Sequence, residues 1–196
     1  MVKQVMWGTC VVVAAAALAE AQGPAQQGPV GMTQYLQNAY GNIKRNLTEA
    51  GNKLSDGDFA FKPTTMPEVR TFGQLFGHVA NAQFGQCAAA KGVPNPNMGT
   101  NNEQKTTKAE IVKALAESFA FCDDAFSSLS DQNRGQIMAR GRGQMARDAI
   151  LADLIAHSNE MYGYAAVYLR AKNVVPPSTE EQPQRGRGAG PAARGQ

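Results

Sequence analysis

The chain has 196 residues, of which 43% are hydrophobic and 18% charged, with a formal net charge of +3. That apolar content supports one folded domain with its own core and makes a second improbable. The cationic excess is slight, and part of it falls on Arg185, Arg187 and Arg194 near the C-terminus. The clustered basic face with interleaved aromatics that a nucleic-acid partner needs is not there.

Lys3 precedes an apolar stretch from Cys10 to Ala19, and Ala19, Glu20 and Ala21 form a small-x-small site before Gln22. This order predicts a secretory signal peptide over residues 1–21, and therefore an exported chain, periplasmic or secreted. The stretch falls short of the roughly 20 residues of a membrane span, and no later segment supplies one. Cys10 comes before the apolar run rather than after it, which argues against a lipoprotein. Residues 22–31, rich in Gly, Pro and Gln, read as a flexible linker. Residues 176–196, rich in Pro, Gly, Arg and Gln, read as a disordered tail too poor in apolar side chains to join a core. Residues 32–175 remain for the domain.

Within the domain, apolar residues recur at helical spacing four times, and no stretch alternates convincingly with period two. The first helix places Leu36, Tyr40, Ile43, Leu47, Ala50 and Leu54 on one stripe and stops at Ser55, Asp56 and Gly57. The second starts after Pro67, where Thr71 and Gln74 have capping-box spacing, and ends near Lys91 before Gly92 and Pro94. Its stripe is Phe72, Leu75, Phe76, Val79, Ala82 and Cys87. The third opens on another such pair, Thr107 and Glu110, and carries Ile111, Leu115, Phe119, Cys122, Phe126 and Leu129. Between the third and fourth helices, the arginines and glycines around Gly141 and Gly143 read as a flexible loop, because their spacing matches no phosphate-binding fingerprint. The fourth helix runs from about Met145 to Lys172.

Four amphipathic helices without strands predict an all-α four-helix bundle, the simplest arrangement that buries every stripe. The connection from Gly92 to Thr106, about fifteen residues, reaches about 50 Å when extended, whereas a 20-residue helix is about 30 Å long. It is long enough to cross the bundle from end to end, which would make helices two and three parallel. Cys87 lies about sixteen residues into helix two and Cys122 about fourteen into helix three, so a parallel pair sets them at similar height. With Cys10 removed by cleavage, these are the two cysteines left in an exported chain, and a Cys87 to Cys122 disulfide is expected. The alternative is a pair of buried free thiols behaving as small hydrophobes.

Both histidines, His78 on helix two and His157 on helix four, lie at the edge of their helix's apolar arc when residues are placed 100° apart. Ordinary boundary residues would sit there too. The segments RTFGQLFGHVANAQFGQCAAAKG, from Arg70 to Gly92, and LIAHSNEMYGYAAVYLRAKNVVPPS, from Leu154 to Ser178, resemble the two signature helices of the DinB family, particularly its exported bacterial members. The resemblance covers essentially the whole domain. It implies a bundle with a long crossover and helices two and three parallel.

It also implies a divalent metal held by three histidines, one on helix two and a His-x-x-x-His pair on helix four. His78 and His157 match the first two positions. Met161 stands at the third, and a neutral thioether is a poor substitute for imidazole toward zinc or nickel, though it suits copper in its reduced state. Three readings follow: a weak or empty metal site, a site completed by the carboxylate of Glu160 or Asp153, and a His78, His157 and Met161 copper site. Two functions compete in turn. One is a non-catalytic bundle that binds a small molecule or protein between helices two and four. The other is an enzyme that uses a metal to activate a low-molecular-weight thiol for transfer or isomerisation, as relatives in the superfamily do. Family members often pair through helix faces, so a homodimer belongs among the expectations.

Overall fold

The structure, a computed structural model, describes residues 28–180. Four long helices dominate it: α1 (Met32–Lys53), α2 (Phe72–Lys91), α3 (Lys108–Ser127) and α4 (Arg147–Ala171). The expected stripe of α1 is buried from Leu36 through Ala50, with Leu54 buried just beyond the helix end. Thr71 and Gln74 close a reciprocal capping box at the start of α2. At its other end Gly92 takes φ +67°, while its N–H donates to Ala89 and that of Val93 to Ala88. This pattern ties off the last carbonyls and stops the helix. Thr107 caps α3 through the Glu110 N–H, and the Glu110 side chain returns to the threonine hydroxyl rather than to the backbone.

Contacts down the helices establish their directions. Gly73 abuts Ile111, Gln83 meets Ser118, Cys87 meets Cys122 and Lys91 reaches Asp124, so α2 and α3 advance together and are parallel. Tyr40 reaches Asp123 while Lys108 reaches Leu54, so α1 runs against α3. Tyr168 bonds Arg70 while His157 meets His78, so α4 runs against α2. The bundle is thus up, down, down, up, with the crossover between α2 and α3 that a parallel pair requires. Cys87 and Cys122 lie at disulfide-bonding distance with Cα atoms 5.4 Å apart.

Two features depart from the sequence reading. The segment expected to be a flexible loop forms an antiparallel hairpin, β1 (Ile137–Arg140) with β2 (Gly143–Ala146), in the register Ile137 to Ala146 and Arg140 to Gly143. Gly141 takes φ +58° in its turn, a conformation glycine adopts without steric cost. Neither face of the hairpin is fully buried: Ile137 is 60% exposed, and Met138 tucks in against Gly92 at the end of α2. The hairpin gives α4 its start at Arg147, two residues later than Met145. Nearly buried, Arg147 sends its guanidinium to the Ala125 carbonyl and the Ser128 hydroxyl, where a cation complements the C-terminal end of α3.

The chain also stays folded past Val175. A short helix, α5 (Pro177–Glu180), buries Pro177, bonds Tyr162 through Ser178 and pairs Glu180 with Lys53 at 2.8 Å. The expected signal peptide, most of the linker and the tail beyond residue 180 lie outside the described residues. No helix among the described residues is long and apolar enough to cross a membrane.

Candidate functional site

The two histidines face each other across the seam between α2 and α4. Their Nε2 atoms are 3.1 Å apart, and the ring centroids 5.0 Å apart. His78 Nδ1 lies 2.7 Å from Glu103 Oε1, and the other carboxylate oxygen accepts from Arg70 Nε at 2.8 Å. A carboxylate only accepts, so His78 carries its proton on Nδ1. In the neutral ring Nε2 is then an acceptor, and His157 Nε2–H is the donor between the rings. That assignment leaves His157 Nδ1 as a lone pair, and this atom is buried without a partner.

Electrostatics support a neutral His157. Burial pushes its pKa below the ordinary histidine value and the neighbouring His78 adds to the depression, against smaller opposing effects of Glu160 and Asp153. For Glu103, burial acts to raise the pKa, but hydrogen bonds from Arg70 and His78 together outweigh it and hold the group low, as a carboxylate.

Glu103 reaches His78 because the crossover lies directly on α2. A Cβ at Gly77 would stand 2.5 Å from the Asn102 carbonyl oxygen, so only glycine admits this approach. One turn further along, the Asn81 side-chain oxygen accepts from the backbone and side-chain N–H groups of Asn102 and from Asn97, while its amide donates to Asn101. The single-turn helix Asn102–Gln104 is held there with Asn102 buried. A cavity of about 440 Å³ opens beside it, lined by Phe59, Thr71, Gly73, Gln74, Glu103 and Ile111. Glu103 therefore touches both the histidine pair and a space between the N-terminal ends of α2 and α3.

The remaining candidates lie on α4 around His157, and both carboxylates have partners of their own. Met161 is buried one turn beyond His157. Asp153 is exposed and pairs with Arg140 of the hairpin, and Glu160 is exposed and accepts from the Tyr164 hydroxyl at 3.1 Å. Among the described residues, no three His, Cys, Asp or Glu side chains form a group able to hold a metal ion. Two imidazoles with a thioether at the third position do not fit the three-histidine set for zinc or nickel.

Sequence reasoning missed Glu103, Arg70, Gly77 and Asn81. Asn81 lies one turn after His78, and four asparagines fall between residues 95 and 102. That density of side-chain amides was the available signal that the crossover docks rather than dangles.

The fold and site define a parallel-crossover helical bundle with a histidine pair on its second and fourth helices. A family model described as the DinB superfamily matches residues 42–165, well over half of the chain, and the protein belongs to that superfamily. Among solved structures, a DinB-like protein from Bacillus cereus superposes with a TM-score of 0.59 at 17% identity, covering 72% of this chain and 93% of that one. A conserved protein from Enterococcus faecalis superposes with a TM-score of 0.58 at 13% identity, covering 72% and 97%. At such identities the likeness is one of fold. No curated protein matches the chain.

Proposed function

We propose that this protein is an exported binding domain, non-catalytic, whose His78 and His157 form a degenerate site that takes a divalent metal only weakly. The observation that carries this reading is the third position. Met161 stands where a third imidazole belongs, while Asp153 and Glu160 are engaged with Arg140 and Tyr164. Two imidazoles alone give a divalent ion too few strong donors. The N-terminal signal-peptide pattern supports export, and the Cys87–Cys122 pair at disulfide distance agrees with an oxidising compartment. The occupant is a small molecule or a protein segment that meets the α2 and α4 seam.

Metal titration of the purified full domain tests this. Wild type should bind zinc and nickel at least about tenfold more weakly than Met161→His, which restores an imidazole four residues from His157. Protein that purifies with one equivalent of metal, lost in His78→Ala or His157→Ala, would overturn it.

One observation favours a second reading, a metal-dependent thiol transferase or isomerase. Ligating histidines commonly rest their other ring nitrogen on a carboxylate, and His78 does so on Glu103. A metal in such a site lowers the pKa of a bound thiol to yield the thiolate nucleophile. The same titration decides: tight stoichiometric binding by wild type is the outcome this reading needs.

A further inference from the structure

We infer that Glu103 is the positioning residue of the histidine pair: delivered by the crossover and steered by Arg70, it dictates which nitrogen of His78 carries the proton. The inference deepens the reading of the same site, but the quantity it concerns is a proton's position and does not require a bound ligand.

Three layers of contact hold Glu103 in place. Gly77 lets the crossover backbone press onto α2 next to His78, with no room for a Cβ. Asn81 then fastens Asn102 by its backbone and side chain, and Asn101 Oδ1 accepts from the Glu103 N–H at 3.0 Å. Glu103 is thereby held at a set height on α2, opposite His78. Finally, Arg70 Nε donates to Oε2, so the carboxylate presents Oε1 to His78 Nδ1 and cannot swing away without leaving the guanidinium. Arg70 is itself placed just before the α2 capping box, and its carbonyl accepts from the Tyr168 hydroxyl at 2.7 Å.

The consequence is an ordered run of donors, Arg70 to Glu103, His78 to Glu103, and His157 to His78. His78 Nε2 presents an electron pair to the seam. A ligand entering between the rings meets an acceptor on His78, which suits a cation or a hydrogen-bond donor and not an anion.

Substituting Glu103 by Gln gives a sharp test, because a glutamine must choose. Arg70 is a donor and has to face the amide oxygen, so the amide nitrogen turns to His78 and donates to Nδ1. The proton on His78 then moves to Nε2. The experiment is a long-range proton–nitrogen correlation spectrum of the ¹⁵N-labelled full chain, treated with chelator and recorded at about pH 8, above the ordinary histidine pKa. His157→Phe assigns the two ring patterns.

Wild type should show His78 protonated at Nδ1, and Glu103→Gln should show it protonated at Nε2. Gly77→Ala, which displaces the crossover without touching either ring, should release His78 to populate both forms. Wild type protonated at Nε2 would overturn the inference. So would a His78 pattern unchanged from wild type in both Glu103→Gln and Gly77→Ala with retained amide dispersion. Metal titration of the same samples reports separately on the proposed weak site.

Discussion

Helix α2 is joined to the bundle by two seams of opposite character. Toward α3 the contact is apolar, with Phe76, Val79 and Cys87 buried alongside Ile111, Leu115, Phe119 and Cys122. Its polar members, Gln83 and Ser118, are buried and bonded to each other, and the cysteine pair closes it. Toward α4 the contact begins as an aromatic layer of Phe72 and Tyr168 and then opens into the two half-buried histidines, one with an unpartnered buried nitrogen. A buried polar pair that satisfies itself, as Gln83 and Ser118 do, serves stability. A seam that retains an orphan group has a cost that folding alone does not explain, and such places are where function is sought.

The largest expected effect falls on the first seam. The two cysteines are 35 residues apart in sequence, and closing a loop of that length removes enough unfolded-state entropy to contribute about 3 to 4 kcal/mol. Denaturant unfolding with and without reductant, or of a Cys87→Ala and Cys122→Ala double variant, should show a loss of that size. A loss under about 1 kcal/mol would mean that packing alone holds the parallel pair and that the two seams differ less than their chemistry suggests.

A smaller effect is expected where α1 meets α3. The Tyr40 ring stacks on Phe126 with centroids 3.9 Å apart, and its hydroxyl lies 3.0 Å from the Phe119 carbonyl and 2.8 Å from Asp123, two acceptors for one proton. Tyr40→Phe should cost about 1 kcal/mol at neutral pH. Burial, then the hydrogen bond and charge of Asp123, raise the Tyr40 pKa well above its ordinary value. A raised folded-state pKa means that the unfolded chain loses its proton first. The stabilisation is therefore complete below the ordinary tyrosine value of about 10 and declines as pH rises above it. Unfolding free energies across the alkaline range should fall less steeply in Tyr40→Phe than in wild type. Equal slopes would show that the hydroxyl is not shielded as the geometry indicates.

The smallest change in stability is expected at the second seam. His157→Leu removes an unpaired buried nitrogen but also the hydrogen bond to His78, and these opposing effects should leave stability within about 1 kcal/mol of wild type. A loss of more than about 2 kcal/mol in thermal or denaturant unfolding would place the histidine pair among the structural contacts and erase the contrast between the seams.

Much of the first seam was legible in the chain because its determinants are local or periodic. The stripe from Leu36 to Leu54, the Thr71 and Gln74 box and the Gly92 stop follow from spacing within a turn or two. The heights of Cys87 and Cys122, counted from their helix starts, agree with the parallel topology. The hairpin from Ile137 to Ala146 was missed because short strands with little burial leave no alternation to read, and Met138 is held by Gly92, a residue 46 positions earlier (138 − 92). At the second seam, His78, His157 and Met161 were legible as residues on helix faces.

What the sequence by itself determined is the helices and their buried faces, since periodicity and capping act over a few residues. What only the tertiary structure decided is the company each histidine keeps. Glu103 lies 25 residues from His78 and approaches it through a glycine gap and an asparagine clasp. No local rule encodes that approach, because it is set by where a long crossover comes to rest on a helix already formed.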